Sequence, residues 1–280
     1  MNIITLIVLF NPKEEFFKNY EGYSSFSSHV LFIDNSTSGK DYSPLIKAIP
    51  HSLYFSMGGN KGIAAALKRG MEIAISLEAD YVLTMDQDSV FPFASFPVLE
   101  PILKTNKDYG IIGLNFNSQE TSLKIRDVSW WLTSGNFIDG KKYAQLKQGF
   151  NADLFIDAVD ADICHSFWKA GYKVGYIPGL SLLHEMGTPK KKRFGFLHFT
   201  TLNYKPIRYY YIFRNNTYLY HKDPKFFRKN FFNVRFKMKI KVKLFEKGWK
   251  KNRQAIRLGV QDAKKGILGP CRHSEILEGK

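Results

Sequence analysis

The chain has two cysteines in 280 residues, Cys164 and Cys271, in unrelated contexts and without a partner at metal-ligand spacing. That excludes a disulfide framework or a zinc site and points to a reducing compartment. No run approaches the roughly 18 to 20 apolar residues that a membrane-spanning helix needs. The opening Met1 to Phe10 has neither a basic start nor a small-residue cleavage site, so no secretory signal is expected and the location expected is cytoplasmic. Heptads, internal repeats, the Gly-x-Gly-x-x-Gly signature and the Gly-Lys-Ser/Thr of a phosphate loop are all missing. Hydrophobic residues at 44% and aromatics at 15% nonetheless describe a folded globule.

Acidic residues are scarce in one place. Lys and Arg against Asp and Glu number 16 and 20 over residues 1–188, 23 and 3 over 189–265, and 2 and 2 over 266–280. The net charge of +16 therefore arises in one late segment. A basic block of this kind meets phosphates, whether of nucleic acid, anionic lipid or a nucleotide.

The stretch Tyr81-Val-Leu-Thr-Met-Asp-Gln-Asp-Ser89 runs from apolar residues straight into two carboxylates. Residues i and i+2 of an extended segment point the same way, so Asp86 and Asp88 can aim at one point where a buried strand ends. Close carboxylates repel unless a cation lies between them. An isolated Asp-x-Asp is also ordinary turn chemistry, so the surrounding chain must decide.

Asn2 to Phe10 reads as a central parallel strand ended by Asn11-Pro12, and His29 to Ile33 as a second one ended by Asp34-Asn35. A short strand near Leu53–Phe55 leads to Met57-Gly-Gly-Asn-Lys-Gly62. A helix follows, with Ile63, Leu67, Gly70, Ala74 and Leu77 on one face and Asn60 placed to cap it. The order is that of half a doubly wound sheet, in which ligands bind beyond the carboxyl ends of the strands. Gly110–Phe116 and Val128–Leu132 read as further strands, the second carrying Trp130 and Trp131, one for the core and one free to face a sugar. Asp160 and Asp162 open a helix whose face is Ile163, Phe167 and Ala170 and whose C-cap is Gly171. His184 stands alone at the end of an apolar run, and from Pro189 onward basic amphipathic helices are expected.

In this order and spacing the segments resemble glycosyltransferase family 2, of the GT-A fold, and especially its rhamnosyltransferase-like branch. The carriers are the strand to Asn11-Pro12, Ile33-Asp-Asn-Ser36, Asn60-Lys-Gly-Ile-Ala64, Thr84-Met-Asp-Gln-Asp-Ser89, Thr133-Ser-Gly135, Asp157-Ala-Val-Asp-Ala-Asp-Ile-Cys164 with Gly171-Tyr-Lys, His184 with Gly187, and Arg208-Tyr-Tyr-Tyr with Arg214-Asn215. The resemblance covers about residues 3 to 265.

It implies an α/β fold with a doubly wound mixed sheet, helices on both faces and a basic helical C-terminal segment. The division expected is a nucleotide-sugar-binding core over 1–188 and an acceptor- or membrane-facing extension over 189–280. Asn11, Asp34, Asn35, Asn60 and Gly62 match the nucleotide site. Asp86 and Asp88 match the Asp-x-Asp motif that holds Mg²⁺ or Mn²⁺, with His184 completing the shell. Asp160 matches the catalytic base, although Val159 stands where many members carry Glu, so Asp157 and Asp162 stay open as alternatives. Arg208 or Arg214 would share the charge of the leaving diphosphate. The activity implied is an inverting, metal-dependent transfer from a dTDP- or UDP-sugar to a lipid-linked or oligosaccharide acceptor, at an anionic membrane surface on the inner face of the cell membrane. Two other readings stand beside it. A sugar-nucleotide nucleotidyltransferase would need a Gly-rich basic loop where Phe10-Asn-Pro12 stands. A nucleic-acid-binding module would use the basic tail, which carries no recognised motif, so no nucleic acid is expected.

Overall fold

The computed structural model describes residues 1–184, 190–194, 197–201 and 203–278, and for 184–201 the backbone alone. The chain divides into two compact units, one of residues 1–152 with 159–185 and the other of residues 153–158 with 186–280.

The first unit is built on a mixed sheet. Its strands are β1 (Ile3–Leu9), β2 (His29–Asp34), β3 (Ser52–Ser56), β4 (Tyr81–Asp86), β5 (Ser89–Val90), β6 (Tyr109–Phe116), β7 (Arg126–Asp127), β8 (Asn136–Asp139) and β9 (Lys173–His184). They lie in the order β3-β2-β1-β4-β8-β6-β9-β5, with β7 also paired to β9. The run from β3 to β4 is parallel throughout. All seven residues of β1 are buried, as a strand covered on both faces requires. The sheet is thus doubly wound and mixed, with β8 antiparallel between β4 and β6.

Four α-helices cross over this sheet or flank it before the last: α1 (Ser43–Lys47), α2 (Ile63–Ser76), α3 (Phe96–Thr105) and α4 (Gly140–Ala144), followed by α5 (Val159–Lys169). Helix α2 buries Leu67, Gly70, Met71 and Ala74. A Cβ on Gly70 would stand 2.2 Å from Leu6 Cδ1, so glycine is what lets α2 approach β1 so closely. Residues 14–25 form two short 3-10 turns, Glu14–Asn19 and Glu21–Ser25. Tyr20 and Tyr23 are buried there.

Two expectations need correction in this unit. Val128–Leu132 is not a strand. Trp131 instead stacks on Tyr176 with ring centroids 3.8 Å apart and donates Nε1–H to the Leu114 carbonyl at 2.8 Å, while Trp130 is exposed. The strand lies a few residues later: β8 begins at Asn136, within what reads in sequence as a polar loop.

The second unit contains the hairpin β10 (Lys190–Phe194) and β11 (Leu197–Thr201), then α6 (Pro206–Lys222), α7 (Pro224–Phe232), a π-helical turn (Asn233–Met238), α8 (Lys239–Phe245), α9 (Trp249–Lys264) and α10 (Ser274–Glu278). Tyr209, Tyr210 and Phe213 of α6 and Ala255 and Ile256 of α9 form its core. Into this unit folds the strap 153–158, three of whose residues take left-handed backbone conformations, Phe155 (φ 63°), Asp157 (φ 69°) and Ala158 (φ 61°). Non-glycine residues pay about 1 to 2 kcal/mol each for that.

Helix α6 holds the strap in place. The Asn215 side-chain amide reaches the carbonyls of Leu154, Ile156 and Asp157 at 2.7 to 2.9 Å. Arg214 has no exposed surface, and its guanidinium donates to the carbonyls of Gly269, Asp153 and Leu154 and to Asn215 Oδ1. The diphosphate-binding role expected for Arg214 does not fit this placement: the side chain is fully buried and its donors are engaged by the carbonyls of Asp153, Leu154 and Gly269 and by Asn215. Changing Arg214 to Met removes the guanidinium's buried hydrogen bonds to the carbonyls of Gly269, Asp153 and Leu154 and to Asn215 Oδ1, and is expected to cost about 3 to 5 kcal/mol in urea unfolding. Near-wild-type stability combined with lost nucleotide binding would restore the phosphate role.

Candidate active site

The carboxyl ends of the parallel strands carry the residues singled out in sequence. At the end of β2, Asp34 is buried, with Oδ2 accepting from Tyr54 O–H at 2.7 Å and Oδ1 from the Ser36 amide at 2.9 Å. Beside it a cleft of ≈ 490 Å³ is lined by Asp34, Thr37, Tyr54, Ser56, Gly58 and Gly59 among others. Asn11, at φ 46°, accepts from the amides of Thr37 and Ser38 at 3.0 Å and so shapes the rim of this cleft. Asn35 Oδ1 accepts from the Lys61 amide at 2.7 Å, and its Nδ2 donates to Asn60 Oδ1 at 3.1 Å.

Asn60 differs from expectation. Its Oδ1 accepts from the Gly62 amide at 2.9 Å, but the residue that caps α2 is Gly62, at φ 89°. Asn60 therefore closes the glycine loop onto Asn35 and does not cap the helix. A loop of this kind, with Gly58 at φ 65° and Gly59 at φ 112° and nothing within 4 Å of a Cβ at either, leaves room for a ligand against bare backbone.

Asp86 ends β4 and Asp88 lies just beyond it. Burial, then the nearby charge of Asp160, then that of Asp88 push the Asp86 carboxyl up to about 7. The loop between the two is braced from several sides. Phe10 N–H donates to Gln87 Oε1 at 2.8 Å, and Tyr20 O–H donates to the Gln87 carbonyl at 2.8 Å. The Tyr20 phenol is itself held protonated by burial and by the Asp88 charge.

Asp160 sits in the first turn of α5. Its Oδ1 accepts from the Thr133 amide at 3.1 Å and from the Thr133 hydroxyl. Thr133 belongs to a bridge that sequence did not assign to the site. Thr84 donates to the Thr133 carbonyl at 2.6 Å, and the Asp86 amide donates to Ser134 Oγ at 3.0 Å. Thr133 and Ser134 thus tie the end of β4 to the start of α5, and the only signal in sequence was the Thr133-Ser-Gly135 match. The two alternatives to Asp160 are differently placed. Asp162 is buried at 1% exposure. Asp157 is clasped by Arg208 through Nε–Oδ2 and Nη2–Oδ1 distances of 2.7 Å. Burial raises the Asp157 carboxyl and the Arg208 charge draws it part of the way back. Arg208 keeps part of its side chain exposed.

The backbone of His184 pairs with Ser89, immediately after Asp88; its side chain and Gly187 lie outside the described residues. Among the described residues no three His, Cys, Asp or Glu side chains converge on one metal position. Two carboxylates do suit Mg²⁺ or Mn²⁺ all the same, because such ions take oxygen donors, often one or two carboxylates completed by substrate phosphates. Burial is the main cause of the raised proton affinity of Asp86, and the charges of Asp160 and Asp88 add to it.

No family model matches the sequence. The dTDP-rhamnosyl transferase RfbF of Shigella flexneri is 24% identical over 249 residues, which is 79% of this chain and 81% of that protein. S. aureus TarS 1–349, solved in complex with UDP, superposes with a TM-score of 0.61 at 12% identity, over 95% of this chain and 83% of that one. The fold is GT-A. GalNAc-T7, solved with UDP, GalNAc and Mn²⁺, shares that GT-A core with a TM-score of 0.55 at 12% identity, over 65% of this chain. The chain spans 43% of GalNAc-T7 and 50% of the longer TarS structure. Within the GT-A fold the sequence resembles the rhamnosyltransferase-like branch of glycosyltransferase family 2. The similarity to RfbF, with the GT-A fold, points to a glycosyltransferase.

Proposed function

We propose that the chain is an inverting glycosyltransferase, dependent on Mg²⁺ or Mn²⁺, that moves rhamnose or another hexose from a dTDP- or UDP-sugar to a lipid-linked saccharide at an anionic membrane surface. The observation that supports this reading is the placement of Asp86 at the end of β4 and of Asp160 in the first turn of α5, tied to one another through Ser134 and Thr133, with Asp88 just beyond β4.

The nucleotide enters the cleft between β2 and β3, where Asp34, already oriented by Tyr54 and Ser36, is placed to meet base or ribose donors. Asp86 and Asp88 would hold the metal, which when bound offsets the charge that builds on the departing diphosphate. Asp160 takes the proton of the acceptor hydroxyl as that oxygen forms its bond to C1 of the sugar. The C1–oxygen bond to the diphosphate breaks, its electron pair leaves with the nucleotide, and one displacement inverts the anomeric centre. Thr133, donating to Asp160 from amide and hydroxyl, fixes the direction in which that carboxylate points. Arg208, paired with Asp157, is left as the arginine of the pair with exposed surface.

Incubation with Mn²⁺ or Mg²⁺ and a panel of sugar nucleotides, followed by saturation-transfer binding and donor hydrolysis, tests the reading. A dTDP- or UDP-sugar should bind in competition with the free nucleoside diphosphate. Indifference to every sugar nucleotide, with or without metal, would sink it.

A further inference from the structure

Helix α7, the π-turn and α8 run from Pro224 to Phe245 through residues that all keep right-handed helical backbone at the junctions. This rod carries eight Lys or Arg and no Asp or Glu. Over Arg235-Phe-Lys-Met-Lys-Ile-Lys-Val-Lys-Leu244 basic and apolar residues alternate, which is a strand period. Wound as a helix, the alternation becomes a four-residue repeat, because residues two apart lie about 200° apart around the axis. Val234, Met238 and Val242 form an inner row packed into the core of the second unit. Phe232, Phe236, Ile240 and Leu244 form the opposite row, exposed by 42%, 54%, 57% and 62%. Arg235, Lys239 and Lys243 line one flank between the rows, and Lys237 and Lys241 line the other.

Four-residue steps overshoot a 3.6-residue turn by about 40° each. The wider π-turn over Asn233–Met238, closed by i→i+5 bonds, takes back part of that drift and keeps the outer row in line. On the Arg235 flank a groove of ≈ 560 Å³ is lined by Arg235, Lys239, Lys243 and Arg253 around Phe236 and Trp249.

A helix in water presents one apolar face to its core and a polar one outward; this rod presents two apolar faces. A second copy of the chain on the outer row would set eight cations against eight. A nucleic acid would engage the cations and leave the apolar row in water. An anionic bilayer satisfies both, since interfacial helices bury an apolar face to the acyl boundary while basic side chains reach back to the phosphates. We propose that Pro224–Phe245 lies in the interface of an anionic membrane, with Phe232, Phe236, Ile240 and Leu244 in the acyl boundary and the Arg235–Arg253 groove holding a lipid phosphate. This rests on the reading of a lipid-linked acceptor and gives that membrane contact its residues.

Flotation with vesicles of phosphatidylglycerol and phosphatidylcholine, against phosphatidylcholine alone, tests it on the full chain. The wild type should float with the anionic vesicles and keep part of its binding in high salt. Phe236→Ser/Ile240→Ser/Leu244→Ser should lose that salt-resistant part, and Arg235→Gln/Lys239→Gln/Lys243→Gln should lower the partition coefficient by about tenfold or more. Both should bind dTDP or UDP as the wild type does. Ile240→Glu alone repeats the test if the triple variant does not fold. Undiminished flotation of the serine and glutamate variants would overturn the proposal, as would a vesicle-free dimer that the serine variant dissociates, or RNA held tightly at physiological salt by a wild type that ignores vesicles. A wild type that floats as expected but binds no sugar nucleotide would end the transferase reading and leave the membrane site standing.

Discussion

Changing Asp160 to Asn is expected to leave nucleotide-sugar binding intact and to lower the transfer rate by about 10² to 10⁴-fold, the usual worth of a positioned general base. Asparagine keeps an oxygen for the Thr133 amide and hydroxyl, so the bridge from β4 to α5 survives the change. What it loses is the capacity to take the acceptor proton. A loss in kcat with little change in donor affinity separates that role from binding, because an interaction made only in the transition state leaves ground-state affinity untouched. Asp157, clasped by Arg208, and the buried Asp162 are poorly placed to substitute. Full activity in Asp160→Asn, with the loss appearing in Asp157→Asn or Asp162→Asn, would move the base.

The parallel half of the sheet was legible because its strands are buried on both faces and therefore read as unbroken apolar runs. β1, β2 and β4 each end at the polar residues that form the site, so strand and site were visible together. Strand β8 was not visible. Its Asn136 and Asp139 are polar yet buried: the Asn136 backbone pairs with both β4 and β6, and Asp139 pairs with Tyr81 and caps α4 by accepting from Lys142 N–H at 2.9 Å. The two tryptophans misled in the opposite direction, because Trp131 covers Gly113 and Tyr176 without extended pairing while Trp130 stays exposed. Arg214 shows a further limit. A basic residue aimed at a phosphate and one sunk among carbonyls look alike until burial is known. The strap 153–158 gave no signal either, since its left-handed residues are Phe, Asp and Ala and the side chains that hold it lie some 60 residues later.

Asp88→Asn should abolish metal-dependent donor binding while the fold persists, and the pH dependence of the apoprotein should report the same site. In chelator, Asp86 has a proton affinity raised to about 7 by burial, Asp160 and Asp88. The folded state then binds more protons than the unfolded state between the ordinary carboxylate range and about 7, so this group's contribution to stability falls as pH rises across that window. A cation competes with that proton, so the increase in melting temperature on adding Mn²⁺ should grow as pH rises toward and past 7. Removing the Asp88 charge removes one of the three causes of the shift. Asp88 is the smallest of those causes, so Asp88→Asn should only slightly reduce the slope of the apoprotein profile while forfeiting the Mn²⁺ stabilisation. Thermal melts of wild type and variant across this range, with EDTA and with Mn²⁺, read both effects in one experiment. Equal Mn²⁺ stabilisation in the two proteins, or equal donor affinity with and without chelator, would remove the metal from Asp86 and Asp88.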